Sequence, residues 1–474
     1  MSQAFAGGAL RLLCLRKGRN HHEKTIEGDL FGAFVAAGAI SKANADDPKK
    51  SALIRCARTD KGVHAAGNVI SLKLIIEDPD IVNKINDNLS PQIRVWGFTR
   101  TNGSFSAYQF CDSRIYEYLI PTHAFLPPHP DSFLGRTLEK IAEEAEDLDG
   151  YKQRQLEVSS FWSETEDQYI KPILETLDPS IRPLVLKALY DADTEPASKE
   201  EAREEPDAGT ETTVVASLGG GKDAQSLVAE EASPQKAVAS NISATQSGNK
   251  EMLPSDKATE SEEVSQSIPT SKEPSPLDLA VKQLKGAYIS AKKAYRIPPA
   301  RAARIQSALS HYLGTHNYHN YTVQKTYRDA SAKRVIKSFV MDPTPLLIND
   351  TEWLSLKVHG QSFMMHQIRK MVSMVALVVR CGCPDSRIRD TYGEEKLSIP
   401  KAPGLGLLLE RPVFDTYNQR LVTEFGREKI EFARFEREME AFKQREIYER
   451  IFREEERDHQ WGFWNFVLRL CAFC

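Results

Sequence analysis

At 474 residues the chain is too long for one ordinary domain and long enough to bury a large core. Its formal net charge of −4 is unevenly spread: residues 191–275 carry 18 acidic and 7 basic side chains, a net of −11, which leaves +7 on the remainder. A basic body with an acidic stretch suits a polyanion partner, although +7 over so long a chain decides little alone. The longest apolar run, residues 371–379, is too short to cross a bilayer and reads as a buried helix, which argues against a membrane partner.

In chain order, residues 9–15 form a candidate strand, too short and wrongly flanked for a signal peptide. Residues 27–40 repeat Leu30, Phe31, Phe34, Val35 and Ile40 at helical spacing. Then comes Ala57-Arg58-Thr59-Asp60-Lys61-Gly62-Val63-His64-Ala65, which sets one carboxylate between two cations. Asp60-Lys61-Gly62 has the residue types of a tight turn, and in isolation it reads as a surface turn with an Asp-Lys pair. Residues 69–76 read as a strand, 81–89 as a helix ended by Pro91, and 93–98 and 114–120 as strands, an α+β order.

Residues 126–189 hold helical patches rich in Glu and Lys. Residues 191–275 lack aromatics and are rich in Ser, Thr, Ala, Glu, Gln and Pro, so a disordered insert is expected there. After residue 301 the pattern is helix, strand (332–341), strand (354–358), helix (366–380), similar to the earlier order and consistent with a duplicated unit. The stretch Thr315-His316-Asn317-Tyr318-His319-Asn320-Tyr321-Thr322 alternates His and aromatic residues with Asn. Without Asp or Cys at ligand spacing, His316 and His319 point to stacking on RNA bases or to satisfied hydrogen bonding rather than to metal. Residues 429–457 read as a charged helix with Phe432, Phe435, Met439 and Phe442 on one stripe, either packed over the body or serving as an arm that touches RNA. The seven cysteines (14, 56, 111, 381, 383, 471, 474) are scattered, with no signal peptide, which argues for free thiols in a reducing compartment. Their pairs do not stand at finger-like spacing, so structural zinc is the lesser reading.

Five stretches resemble, in order, the motifs of the TruA family of tRNA pseudouridine synthases. They are Thr25-Ile26-Glu27-Gly28-Asp29-Leu30, the Ala57–Ala65 run, Cys111-Asp112-Ser113-Arg114-Ile115-Tyr116-Glu117-Tyr118, Gly314 through Thr322, and Pro400-Lys401-Ala402-Pro403-Gly404-Leu405-Gly406-Leu407. The third and fourth look like the eukaryotic branch. The resemblance covers about residues 25–125 and 284–420. It implies the pseudouridine synthase fold: α+β, with two similar antiparallel-sheet halves flanking a catalytic cleft. The division expected is an atypical N-terminus (1–24), a first catalytic half (25–125), a helical insert (126–190), a disordered acidic linker (191–275), a second catalytic half (276–425), and a charged C-terminal helix with an atypical tail (426–474). The Gly- and Tyr-rich loop that normally follows the family's first strand has no counterpart in residues 1–24.

The resemblance implies isomerisation of uridine to pseudouridine in the anticodon stem-loop region of tRNA, with small nuclear or messenger RNA as further targets. Asp60 is the implied essential carboxylate, and Arg369 matches the family position that pairs with it. Tyr116 matches the tyrosine that stacks on the target uracil and is proposed to take the C5 proton. Arg58 matches the residue that enters the helix where the target nucleotide leaves, and Leu407 the apolar wall of the pocket. Lys61, His64 and Arg114 complete the implied substrate-binding set, while Tyr108 stands where the family commonly has a basic residue. The reaction needs no electrons or energy donor, so no cofactor is expected. A nuclear monomer with a mitochondrial pool is implied. The rival readings are a catalytically impaired RNA-binding protein acting on tRNA folding, and a glycoside-type hydrolase built on Asp60. No motif supplies the second carboxylate that the hydrolase requires.

Overall fold

A computed structural model of the protein describes residues 2–8, 25–60, 62–191, 275–425 and 428–462. Apart from its two end residues, the acidic stretch 191–275 lies outside the described residues, as do the candidate strand 9–15, Lys61, and Cys471 and Cys474.

Among the described residues ten strands make one sheet: β1 (Ser2–Gly8), β2 (Ile54–Arg55), β3 (His64–Leu72), β4 (Ile93–Arg100), β5 (Ser113–Pro121), β6 (Gly314–Asn317), β7 (Lys333–Met341), β8 (Leu346–Ile348), β9 (Thr351–Gly360) and β10 (Leu407–Val413). Their order is β4-β1-β3-β10-β5-β9-β7-β6, with β2 added on β3 and β8 on β9. All pairs are antiparallel except β3 with β10, where Leu408 lies opposite His64 and Leu409 opposite Ala65. The sheet is therefore mixed, within an α+β architecture. The strand that completes the N-terminal side is Ser2–Gly8, paired with β3 and β4. β3 begins five residues before the apolar run at Val69, with His64 buried at its start and the small residues Ala65, Ala66 and Gly67 following.

Alternation along β5 decides the two faces. Tyr116, Tyr118 and Ile120 join a core with the helix Gln367–Arg380, while Leu119 faces the C-terminal helices. In that helix every residue except Arg369 and Lys370 is buried, so only two cations of its first turn are left to serve a surface. Among the described residues no helix is long and apolar enough to cross a membrane.

The Thr315–Thr322 stretch turns inward. His316 stacks on Tyr392 with centroids 4.3 Å apart, and Asn320 donates to the carbonyls of Thr391 and Glu395 while accepting from the Leu397 amide. Tyr318 and Tyr321 are fully buried. His316 Nε2 lies 2.8 Å from the Leu313 carbonyl oxygen, whereas the buried His319 ring finds no hydrogen-bond partner for either nitrogen among the described residues.

The C-terminal segment folds as Glu436–Phe442, a π-helical stretch Lys443–Tyr448, and Glu449–Asp458. Its predicted apolar stripe packs on the sheet, with Phe432, Phe435 and Met439 against Val69 and Phe414, and Phe442 against Leu119 and Leu408. Such close approach needs Gly67, where an added Cβ would lie 2.9 Å from both Met439 Cε and Phe432 Cε1 and 3.0 Å from the Glu410 carbonyl oxygen. Gly67→Val should therefore lower stability by about 1–3 kcal/mol through overpacking and loosen the segment. A thermal melt, with limited proteolysis at residues 428–435, measures both; an unchanged melt would mean that the helix does not dock on β3.

Candidate active site

Asp60 sits on the loop between β2 and β3, closed by a tight turn in which the Val63 amide donates to the Asp60 carbonyl oxygen at 3.0 Å. Gly62 has φ of +83°, a left-handed angle that glycine adopts at no steric cost. The loop is pinned from several sides. Asn68 Nδ2 donates to the Ala57 carbonyl at 3.1 Å, and the Cys56 amide donates to Val69 at 2.8 Å. Arg114, on β5, bridges the Cys56 and Gln361 carbonyls, each at 3.1 Å. It thus ties the Asp60 loop to the turn that leads into the helix Gln367–Arg380.

That turn supplies the carboxylate's direct partner, which is His366 and not Arg369. His366 Nδ1 lies 3.1 Å from Asp60 Oδ2 and, facing a carboxylate, must be the donor. The side chains are partly shielded, with 18% of His366 and 31% of Asp60 exposed. Arg369 is engaged elsewhere: its Nε donates to the Ala402 carbonyl at 2.7 Å, and the Ala402 amide donates back to the Arg369 carbonyl at 3.3 Å. Arg369 therefore reaches Asp60 through its field. Burial by itself would raise the Asp60 pKa; the His366 hydrogen bond and the charges of His366, Arg369 and Lys401 outweigh it and hold the carboxyl below its ordinary 3.8. Asp60 is thus an ionised carboxylate at neutral pH.

Tyr116 lies on β5, one strand beyond the β10 that pairs with β3, edge-on to Phe363 with centroids 5.3 Å apart, and within electrostatic reach of Asp60. Burial pushes its hydroxyl well above the ordinary 10, so at neutral pH it is a neutral phenol. A proton taken from uracil C5 could pass to Tyr116 only as another proton leaves it. Leu407 is buried in the same core, in register with Tyr118, whose hydroxyl donates to the Pro403 carbonyl at 2.6 Å. The Pro400–Leu407 motif is thereby fastened to β5.

The other expected site residues divide by exposure. Arg58 is exposed and forms no ion pair or hydrogen bond with the described residues, so it is available to a ligand. His64 is 2% exposed at the start of β3, beneath the surface rather than on it. Tyr108 is exposed. His366 is the residue that the sequence reading passed over. Among the described residues no cluster of His, Cys, Asp or Glu could hold a metal ion, and Cys56, Cys111, Cys381 and Cys383 form no disulfide.

Comparison with known proteins finds relatives over most of the chain. Residues 308–415 match a family described as tRNA pseudouridine synthase. Over its length the chain is 42% identical to tRNA pseudouridine synthase 1 of Yarrowia lipolytica, covering 94% of the chain and 70% of the relative. It is 43% identical to the enzyme of the same name in Schizosaccharomyces pombe, covering 92% and 77%. It is 30% identical to tRNA pseudouridine(27/28) synthase of Saccharomyces cerevisiae, covering 95% and 94%.

Proposed function

The chain belongs to the TruA family of tRNA pseudouridine synthases, and from that premise we propose that it isomerises uridine to pseudouridine in the anticodon stem-loop region of tRNA, with Asp60 as the essential carboxylate. The observation that carries the reading is the ionised Asp60, ringed by His366, Arg369 and Lys401 beside the buried Tyr116. The relative named for positions 27/28 supports the choice of region. The reaction breaks the bond from C1′ to N1, turns the uracil and joins C1′ to C5; C5 loses a proton and N1 gains one, so atoms and electrons balance without a cofactor. An ionised carboxylate can act on sugar or base. The Tyr116 ring and Leu407 suit the two walls of a uracil pocket.

A stem uridine must leave its stack to reach Asp60, at a cost of a few kcal/mol. Exposed Arg58, two residues away, is placed to fill the gap and stack on the neighbouring bases, with Lys61 as a phosphate contact. Arg114 holds the loop, and His64 supports it from below. In this reading the two halves, residues 25–125 and 276–425, interleave in the sheet, since β5 of the first lies between β10 and β9 of the second, and the cleft runs beside the meeting of β3, β10 and β5. A monomer acting on tRNA in the nucleus, with a mitochondrial pool and some small nuclear or messenger RNA targets, completes the proposal.

Incubating the chain with unmodified tRNA transcripts and mapping pseudouridine by carbodiimide-dependent reverse-transcription stops tests the region. Stops in the anticodon stem-loop are expected. Stops confined to the other arms would contradict the choice of target, and tight binding without any stop would favour a tRNA-folding protein without catalysis.

A further inference from the structure

We propose that His366 is a positioning residue that holds Asp60 in its reactive orientation by a hydrogen bond to one carboxylate oxygen, leaving the other oxygen for the substrate. The inference deepens the reading of Asp60 given above and rests on it.

His366 occupies the N-cap of the helix Gln367–Arg380 with φ +62° and ψ 0°, the left-handed region. Outside glycine that conformation is uncommon, with Asn, Asp and His several-fold enriched, and such strain persists only where the surroundings over-determine it. Here they do. Thr322 Oγ1 donates to the Met365 carbonyl at 3.0 Å, the Met364 amide donates to Gln367 Oε1 at 2.9 Å, and the Lys370 amide donates to the His366 carbonyl at 3.0 Å. The His366 side chain makes no cap bond to its own helix, the usual task of a residue at this position. It turns instead across the cleft to Asp60 Oδ2, at 3.1 Å. The buried Thr315–Thr322 motif thus gains a second purpose. Through Thr322, and through Lys370 Nζ bonding the Asn320 and Thr322 carbonyls at 3.3 and 3.2 Å, it braces the turn that aims the imidazole.

The charged and titratable groups facing Asp60 are His366 and Arg369 from the helix, Lys401 from the Pro400–Leu407 loop and Tyr116 from β5. Of these only His366 hydrogen-bonds the carboxylate. Removing it takes away both the orientation and the hydrogen bond that does most to hold the carboxyl down, so the carboxyl should titrate at higher pH.

The test is single-turnover pseudouridine formation on a tRNA transcript between pH 5 and 8, with melting temperature measured for each variant. His366→Ala should fold normally and lose about 10- to 100-fold in rate at pH 7.5, the range for one hydrogen bond to a charged group. Its rate should also fall away on the acid side at higher pH than in the wild type. His366→Asn, which tolerates the left-handed backbone and presents an amide N–H near the position of Nδ1, should recover part of the rate. His366→Gly relieves the strain but offers no donor, so it should resemble Ala in rate. Equal rates for wild type and Ala, or equal losses for Ala and Asn at every pH, would overturn the proposal. An inactive wild-type chain would instead count against the reading of Asp60.

Discussion

Asp60→Asn should abolish pseudouridine formation while leaving melting and tRNA affinity intact. Asn keeps the size of the side chain and can still accept a hydrogen bond from His366, but it carries no charge and cannot act as nucleophile or base. A fall of about 10³-fold or more is expected, in line with loss of a group that acts on the reacting atoms. Stability should change little, since the Asp60–His366 contact is partly exposed and solvent screens such pairs to about 1 kcal/mol or less. Affinity for tRNA should hold or rise, because one negative charge near the phosphates is gone. If Asp60 merely braced its turn, the outcome would differ: melting temperature and affinity would drop together, and the folded fraction would still form pseudouridine. Rate, melt and binding on one protein preparation separate the two.

Lys443→Met should have the largest effect on stability. Lys443 lies behind β5, with 7% of its side chain exposed, and its Nζ stands 2.8 Å from Glu440, 3.6 Å from Glu410 and 3.7 Å from Glu117. Glu117, adjacent to Tyr116 in β5, also accepts from the hydroxyls of Ser355 and Tyr448, the latter at 2.7 Å. Burial works against the Lys443 charge, but Glu117, Glu410 and Glu440 outweigh it and raise its pKa above the ordinary 10.5. Without the cation, Glu117 and Glu410 would lose their nearest positive charge, leaving Lys357 and the hydroxyls of Ser355 and Tyr448 to offset their repulsion. Breaking such a buried arrangement costs about 3–5 kcal/mol. The pH dependence is signed. Burial already raises the Glu410 pKa above 4.5, and the variant should raise it further. A carboxyl whose folded pKa is raised destabilises the fold above that pKa and less so below it. The variant should therefore regain stability as pH falls from 7 toward 5. Adding Glu117→Gln should recover much of the loss at pH 7. Urea unfolding of the three proteins checks this, and a Lys443→Met protein as stable as the wild type would mean that the C-terminal segment is not coupled to β5.

Local features of this protein were legible in its sequence, and pairings between distant residues were not. The turn at Asp60 could be read because Asp and Gly stand where its backbone needs them, and Gly62 does adopt φ of +83°. The apolar run from Met371 to Val379 could be read as a buried helix because its partners had to be apolar on every side. The stripe of Phe432, Phe435, Met439 and Phe442 announced a docked face, but not that Gly67 would be the floor beneath it. The parallel meeting of His64 with Leu408 joins residues over three hundred positions apart, and no periodicity encodes such a partner. The strand Ser2–Gly8, with Phe5 its one large apolar residue, gives little hydrophobic signal. At the site, family likeness led to Arg369 as the partner of Asp60, whereas the nearer partner is His366. A histidine at a helix N-cap reads as unremarkable until its left-handed backbone is seen.

The central claim, that this chain converts uridine in tRNA through Asp60, is tested most directly by tritium release from tRNA labelled at uracil C5. Joining C5 to C1′ must expel the C5 hydrogen, so each turnover frees one tritium to water. The wild-type chain should release tritium in step with pseudouridine formed, and Asp60→Asn should release none while still binding the RNA. Release by a normally folded Asp60→Asn protein at the wild-type rate, or binding by the wild type without any release, would contradict it.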